Sequence, residues 1–565
     1  MADLHSRRDL FGQMLAGGIA VQLPRGAEDG RAAALVAATT LNDIVALARF
    51  ADADQLRLPD RCSLVWTSGH SQPGKGGACY RRETIVDRAY VRSHPRTAFL
   101  DAAGRGFRLY ETEVDVSQTG AIGDGTADDT AAIQEALVVV EAGGGGTVML
   151  PAGTYKTTAP LRIPPRTGIR GAGPSSLLQA NSCDGILLGA SDEIGPRTLS
   201  DFAIRGQGGE RFTAIVVEAD DDRRAQGIVF ERLYLSFFGT GVRSRGLWHA
   251  TFRTITVNQI WTGFVLTGRN VKITIDDCRL THGGLLRGTG DPIGIQVGDG
   301  SSKLRPEDVQ VTKSIIYGFG KGIVWRTALF GSVTQCDLDA CTRIGLELVT
   351  ADGGFTFANN WVHVDGPSAR GIDCTALGYE PQNTSVHIVN NSINGRIATL
   401  GSCGIVIGNQ QSDLVIEGNA VSSAWESGIR ADGVRRLSLV NNKVARDIVA
   451  EGCTAIVVAR NFAGAGLRLN NNVSLESGSG FGPHSGRIIG TLIIPAGKAT
   501  HSVTFASLRL PDLPEGSYRT ILTLDPGLGS SSGEVRGRAT RTGIVIETAR
   551  ASSQENRVAF RVEAY

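Results

Sequence analysis

Between residues 337 and 373 the chain holds an unusual density of side chains that can move protons or hold charge. Asp337 and Asp339 are followed by Trp361 and His363, each pair spaced alike, with Asp365 two positions further on. Glu347 is followed by Asp373 at a similar remove. Two carboxyl groups about 5 Å apart can divide their labour: one is held protonated by its neighbour's charge and acts as an acid, while the other attacks or activates water. Separations of about 5–5.5 Å suit a retaining displacement and about 6.5–9.5 Å an inverting one. Arg343 and Arg370 stand shortly before the two acids and could grip an anion. Tyr317 and Trp361 offer flat faces for sugar-like rings. Trp325 and Trp425 are further candidate platforms.

Side chains so far apart meet only if something repeats, and a repeat is present. From Gly227 to Leu475 a short apolar alternation returns around a small or amide residue, as in VFERLYL, SVTQCDL, FTFANNWV, VHIVNNSI and LSLVNNKV. Aligning these phrases gives a column Leu233, Ile255, Cys278, Ser314, Cys336, Asn360, Asn391, Asn419, Asn442, Asn472. Most steps along it are short and nearly equal, and the longer ones are the same step with an insertion. A base period of roughly 22–24 with insertions is that of a solenoid, and the alternation makes each turn a set of strands. The Asn column reads as corner scaffolding. In this register Tyr317, Asp337, Asp339, Trp361, His363 and Asp365 share one outward patch. A second outward column, from the later G-I-x-V phrase, runs Gln296, Val324, Glu347, Asp373, Val406, Arg430 and makes Glu347 and Asp373 neighbours. Insertions after His282, Asp373 and Asn394 could wall a groove, with His282 in a loop.

The rest of the chain sorts into segments. Residues 1–38 form a leader: Ser6-Arg7-Arg8-Asp9-Leu10-Phe11 resembles a twin-arginine export signal, followed by a weakly apolar stretch and an Ala-rich cleavage site. That stretch is too short to span a bilayer, and no other candidate span exists. Residues 39–113 make a small mixed domain, with helical apolar spacing in LNDIVALARFADA, a glycine-rich loop Gly69–Tyr80 without P-loop chemistry, and a hairpin near Phe99–Tyr110. Residues 114–480 hold the solenoid. At its start Thr126 and Asp129 suggest a capping box for a helix that buries Ile133, Leu137 and Val140, ends at Gly143–Gly146 and closes the solenoid end. Asp124, Asp128 and Asp129 read as caps and turns, not as metal ligands. Residues 487–565 read as a small antiparallel β domain.

Composition narrows the function. In 565 residues, 57 Lys and Arg balance 56 Asp and Glu for a net charge of +1, which gives no reason to expect a nucleic-acid or anionic-membrane partner. Nine Cys without a CxxC pair give neither a disulfide framework nor a zinc site.

The run VDVSQTGAIGDGTADDTAAIQEAL, then GGGGTVMLPAGTY and PPRTGIRGAG, resembles the opening of the pectate-lyase-like right-handed parallel β-helices, a superfamily that includes phage tailspikes and polysaccharide-degrading enzymes. GKGGACY…FLDAAGRGFRLY is similar to the small domain that often precedes that opening. The resemblance implies an all-β fold: a right-handed parallel β-helix with a small N-terminal α+β cap and a C-terminal antiparallel, sandwich-like β domain. It implies cleavage of a complex or acidic polysaccharide by hydrolysis or β-elimination, with Glu347, Asp373, Asp337, Asp339 and His363 as catalytic candidates. Trp361, Tyr317, Arg343, Arg370 and Asp365 are the substrate-binding candidates. No cofactor is expected, apart from calcium if the chemistry is elimination. A homotrimer and an exported or virion-borne location follow from the same likeness. The alternative from another class is a non-enzymatic glycan-binding spike or adhesin, since fold does not settle function.

Overall fold

The computed structural model describes residues 44–564, except 112, 191–196, 210, 220–223, 285–289, 301–303, 350, 376–384, 409–413, 454–455, 466, 471–479, 482–486, 495–499, 505–517, 525–534, 541–542 and 549–555. The proposed leader therefore lies outside the described residues. Two compact units are present, one comprising Met1–Asn181 with Ser200–Phe202, the other Ser182–Leu199 with Ala203–Tyr565.

The first unit opens with a five-stranded sheet in the order Ile44–Leu47, Leu64–Gln72, Lys75–Arg82, Gly106–Leu109, Ala98–Leu100. The helix expected in LNDIVALARFADA is instead a strand paired parallel to Leu64–Gln72, followed by a 3-10 turn at Phe50–Gln55. The β-branched Ile44-Val45 pair and an available sheet edge override the helical spacing. Gly69–Tyr80 is a hairpin, turning where Gly74 and Gly76 take positive φ of 84° and 74°.

Parallel coils begin in the same unit: Glu113–Asp115, Gly146–Leu150 and Thr167–Gly171 stack in register. The helix runs Thr130–Ala142 and buries Ile133, Leu137 and Val140. It starts later than the Thr126 box predicts, because Asp124–Asp128 is recruited as a strand beside Gly153–Thr157. The three acids bond to backbone and hydroxyls there. Asp129 accepts from the Ile122 and Gly123 amides at 2.6 and 3.0 Å, and Asp128 accepts from the Thr158 hydroxyl at 2.7 Å. Asp124 is drawn down to about 2 by the Ala127 and Thr126 amides.

In the second unit each coil contributes three strands, named here by face. The coil Glu307–Thr312 (first face), Ile315–Tyr317 (second) and Lys321–Trp325 (third) is followed by Ala328–Thr334, Asp337–Cys341 and Ile344–Leu348, then by Phe355–Ala358, Trp361–Val364 and Arg370–Cys374. All nine strands pair in parallel with their counterparts one coil away. The molecule is thus a right-handed parallel β-helix.

The repeat column marks the corner between the first and second faces. The residue before it is left-handed, for example Gln335 (φ 56°), Asn359 (59°) and Asn390 (55°), which turns the chain while the column side chain points inward. Asn391 Nδ2 donates to Phe357 O and Asn419 Oδ1, both at 2.9 Å, and its Oδ1 accepts from Asn360 N and Nδ2 at 2.9 and 3.0 Å. Every buried polar group of such an amide is satisfied, so the column is a ladder. Upstream, Ser314 and Cys336 continue it with weaker donors. The next rung after Asn442 is Asn461, whose Oδ1 accepts from Asn442 N at 3.0 Å. The column therefore steps to Asn461 and not directly to Asn472, which lies outside the described residues. The short coil VVARNFA escaped the spacing rule.

After the coils, Arg487–Ile494 pairs antiparallel with Asn556–Ala564, which pairs with Tyr518–Leu524; Thr500–Thr504, Gly543–Thr548 and Val535–Thr540 form a second antiparallel sheet. Among the described residues no helix is long and apolar enough to cross a membrane.

Candidate active site

The second face brings one group of candidates together. Ile315 and Tyr317 lie in register with Asp337 and Asp339, and Asp337 lies in register with Trp361. The pairing then slips: two residues, Asp339 and Ala340, stand opposite His363, and Ala340 takes φ 52°. This is a β-bulge, a device that re-aims side chains. It keeps Cys341 inward beside Val364 while Asp339 reaches His363.

His363 lies between two carboxylates. Its Nδ1 donates to Asp339 Oδ1 at 2.8 Å, which fixes the tautomer, and its Nε2 lies 3.0 Å from Asp365 Oδ1. That Asp365 oxygen is buried and makes no aligned hydrogen bond, so the second contact is electrostatic, not a directed bond. Asp337 differs from its neighbours. Its Oδ1 is buried with no hydrogen-bond partner, and burial, reinforced by the charge of Asp339 and partly relieved by His363, pushes its carboxyl above the usual range. Tyr317 and Trp361 flank these groups and are 46% and 48% exposed, large for aromatics with no partner to cover them. One carboxyl thus holds its proton more tightly than usual beside a second that is oriented by an imidazole, between two open aromatic faces.

The third face presents a different picture. Glu347 and Asp373 are register partners. Each has its own cation. Lys321 Nζ sits 2.8 Å from both Glu347 oxygens. Asp373 accepts from Arg370 Nη1 at 2.7 Å and from Thr375 N and Oγ1 at 2.9 and 2.6 Å. Asp373 is only 6% exposed, and Val324, one coil earlier in the outward column, is fully buried. The pair is held as two ion pairs on a covered stretch, not across an open groove. Arg343 is engaged too, with Asp291 at 2.7 Å. Both arginines thus have a carboxylate partner. The signal for Lys321 was present in the sequence, since it occupies the same place in its phrase as Arg370 does.

Two indoles are corrected. Trp325 and Trp425 are 0% and 1% exposed, Trp325 packing on Phe355, so they are core residues and not platforms. His282 lies in the loop after the strand Arg279–Thr281, and it is buried there, with Nδ1 3.1 Å from Ile260 O and its ring against Trp261 and Phe319. Of the three walls, residues 285–289 and 376–384 lie outside the described residues. The third, Arg396–Ser402, is pinned by Ser368 to Thr399 Oγ1 and Leu400 O, both at 2.9 Å, and exposes Ile397 and Leu400. Among the described residues no group of three or more His, Cys, Asp or Glu is arranged to hold a metal ion.

The outward-facing acids and aromatics sit on a fold that known proteins share. Residues 114–199 match the family model "Rhamnogalacturonase A/epimerase, pectate lyase-like". That match covers the first coils of the β-helix, and the parallel coils continue beyond it. Among individual proteins, the tail spike protein of Shigella phage Sf6 is 26% identical over 324 residues, 54% of this chain and 51% of that protein. Mannuronan C5-epimerase AlgE1 of Azotobacter vinelandii is 54% identical over 46 residues, 8% of this chain and 3% of that protein. The chain therefore spans about half the length of the first relative and a small part of the second. Among solved structures, the gp42 tailspike of Acinetobacter phage vb_AbaP_AS12 aligns with a TM-score of 0.46 at 13% identity, over 77% of this chain and 74% of that one.

Proposed function

We propose that this chain is a polysaccharide hydrolase whose active site is the second face of the β-helix at Asp337, Asp339 and His363. The observation that carries the reading is Asp337: a carboxyl raised by burial, with an unpartnered oxygen, beside a second carboxylate and between two exposed aromatics. Of two neighbouring carboxyls, the one that holds its proton more tightly is suited to protonate a leaving oxygen, and the other, ionised, to activate water. In the step we envisage, the bond between the anomeric carbon and the glycosidic oxygen breaks as Asp337 gives that oxygen its proton. Water adds to the carbon and yields its proton to Asp339, which His363 orients. Tyr317 and Trp361 stack on flanking rings.

The names of the relatives support the same direction. One is a phage tail spike protein and another acts on mannuronan, which fits a polysaccharide ligand and a place on a virion or outside a cell. Glu347 and Asp373 are assigned a structural role. The test is release of reducing ends from cell-surface polysaccharides by the full chain and its variants. Asp337→Asn and Asp339→Asn are expected to lose about 10²–10⁴-fold in rate, while Glu347→Gln retains turnover. Unimpaired cleavage by both aspartate variants would remove the site. Tight binding without any cleavage by the wild-type chain would make it a glycan-binding spike.

A further inference from the structure

We infer that the sugar ring processed at this face carries no carboxylate, so that the substrate is a neutral glycan and the reaction hydrolysis, not elimination or epimerisation of a uronate. The inference rests on the placement of the site at Asp337 and Asp339. It comes from the sign of the charge that each chemistry creates.

Abstracting the proton next to a uronate carboxylate drives a second negative charge onto that group. An enzyme that does this must set a cation beside it. Breaking a glycosidic bond by hydrolysis does the opposite and builds positive charge on the ring. The groups that face a ring between Tyr317 and Trp361 are Asp337, Asp339, His363 and Asp365. Three of the four are carboxyls, a set that stabilises the second transition state and opposes the first.

The nearby cations do not reverse this. Lys321, Arg343 and Arg370 are each paired with a carboxylate, Glu347, Asp291 and Asp373. Arg279 shares the outward column but lies two strands before Asp337, roughly 10 Å away at the spacing of parallel strands. Lys313 sits at a left-handed corner, outside the outward pairs. Arg396 follows the strand Ser392–Gly395, with its amide donating to Val364 O at 3.3 Å. That single guanidinium is outnumbered by the three carboxyls of Asp337, Asp339 and Asp365. Along the same face the next outward residues, Ser392 and Asn394, are uncharged hydrogen-bonding groups suited to hydroxyls.

A uronate placed about 5 Å from an ionised aspartate is expected to bind about tenfold or more weakly than the matching neutral ring. The full chain, Asp337→Asn, Asp339→Asn and Arg396→Ala would be incubated with two polymer sets: neutral cell-surface polysaccharides, and polymannuronate with polygalacturonate. Reducing ends, ultraviolet absorbance of unsaturated rings and C5 inversion by NMR would be read together. The expected result is reducing ends from a neutral polymer only, lost in Asp337→Asn and kept in Arg396→Ala. Action confined to uronate polymers and lost in Asp337→Asn overturns the neutral substrate while leaving the site in place. Loss of that action in Arg396→Ala would identify the cation that overturned it. Failure to cut any neutral polymer also overturns it. Neutral cleavage that survives both aspartate variants removes the site and leaves the substrate class standing.

Discussion

Asp337→Asn should cost the protein its activity and leave it more stable. In the wild type, Asp337 Oδ1 is buried without a hydrogen-bond partner and its charge faces Asp339. An unsatisfied buried acceptor costs about 1–3 kcal/mol. The residue is only half-buried, so solvent screens part of this and about 1 kcal/mol is the working figure. Asparagine removes the charge and supplies an N–H that can turn toward Asp339. The pH dependence gives the sign independently. A folded-state pKa raised above the unfolded value means that the native chain binds this proton more tightly, so the penalty is present at neutral pH and vanishes as pH falls through the raised value toward the ordinary range. The stability difference between variant and wild type is therefore largest near pH 7 and closes in mild acid. Urea unfolding at pH 7 and in mild acid, with the cleavage assay in parallel, measures both arms. A variant less stable than wild type at pH 7 by about 1 kcal/mol or more would refute the reasoning, because it would mean that the carboxylate is holding the coil together.

Other outcomes are equally definite. Asn391→Ala removes four side-chain hydrogen bonds and strands the Asn360 donors and the Phe357 carbonyl, for a loss of about 3–5 kcal/mol in urea unfolding; Asn391→Ser, which restores the Ser314 type of rung, should recover part of it. Glu347→Gln leaves Lys321 facing an amide and should cost about 1–3 kcal/mol of stability while sparing turnover, a split visible by pairing calorimetry with the cleavage assay. His70 is 7% exposed and stacked on Phe50, and burial pushes its imidazole down to about 4. The unfolded chain binds that proton first, so the N-terminal unit should lose about 3 kcal/mol as pH falls from 7 to 4. Hydrogen exchange in the strand Leu64–Gln72 would follow it, and an unchanged acid limb in His70→Gln would exclude this cause.

The sequence disclosed more of the fold than of the site. Period-2 phrases that return once per turn are dictated by coil circumference, so the register that puts Asp337 beside Trp361 and Glu347 beside Asp373 could be counted along the chain. Two things could not. Counter-ions depend on side-chain reach: Lys321 stretches to Glu347 from one coil away, and Arg370 folds back on Asp373. Bulges break counting, and the extra residue at Ala340 has no compositional mark, since alanine is an ordinary strand filler. Local pattern also misled where a sheet edge competed with it, as at Ile44–Leu47, and where a coil was unusually short, as at Asn461.

The ladder corner has a consequence for how this molecule can change over time. The strand of the second face starts immediately after each rung, so Asp337 and Asp339 follow Cys336 at the same offsets at which Trp361 and His363 follow Asn360. Extra chain enters elsewhere, after the second-face strand, as at Arg396–Ser402, or between the third and first faces. Lineages could therefore rewrite the loops that border a ligand without moving the acid or its partner by a single position. Specificity and reactivity are separately heritable in such a coil, and grafting loops between relatives is the experiment this geometry invites.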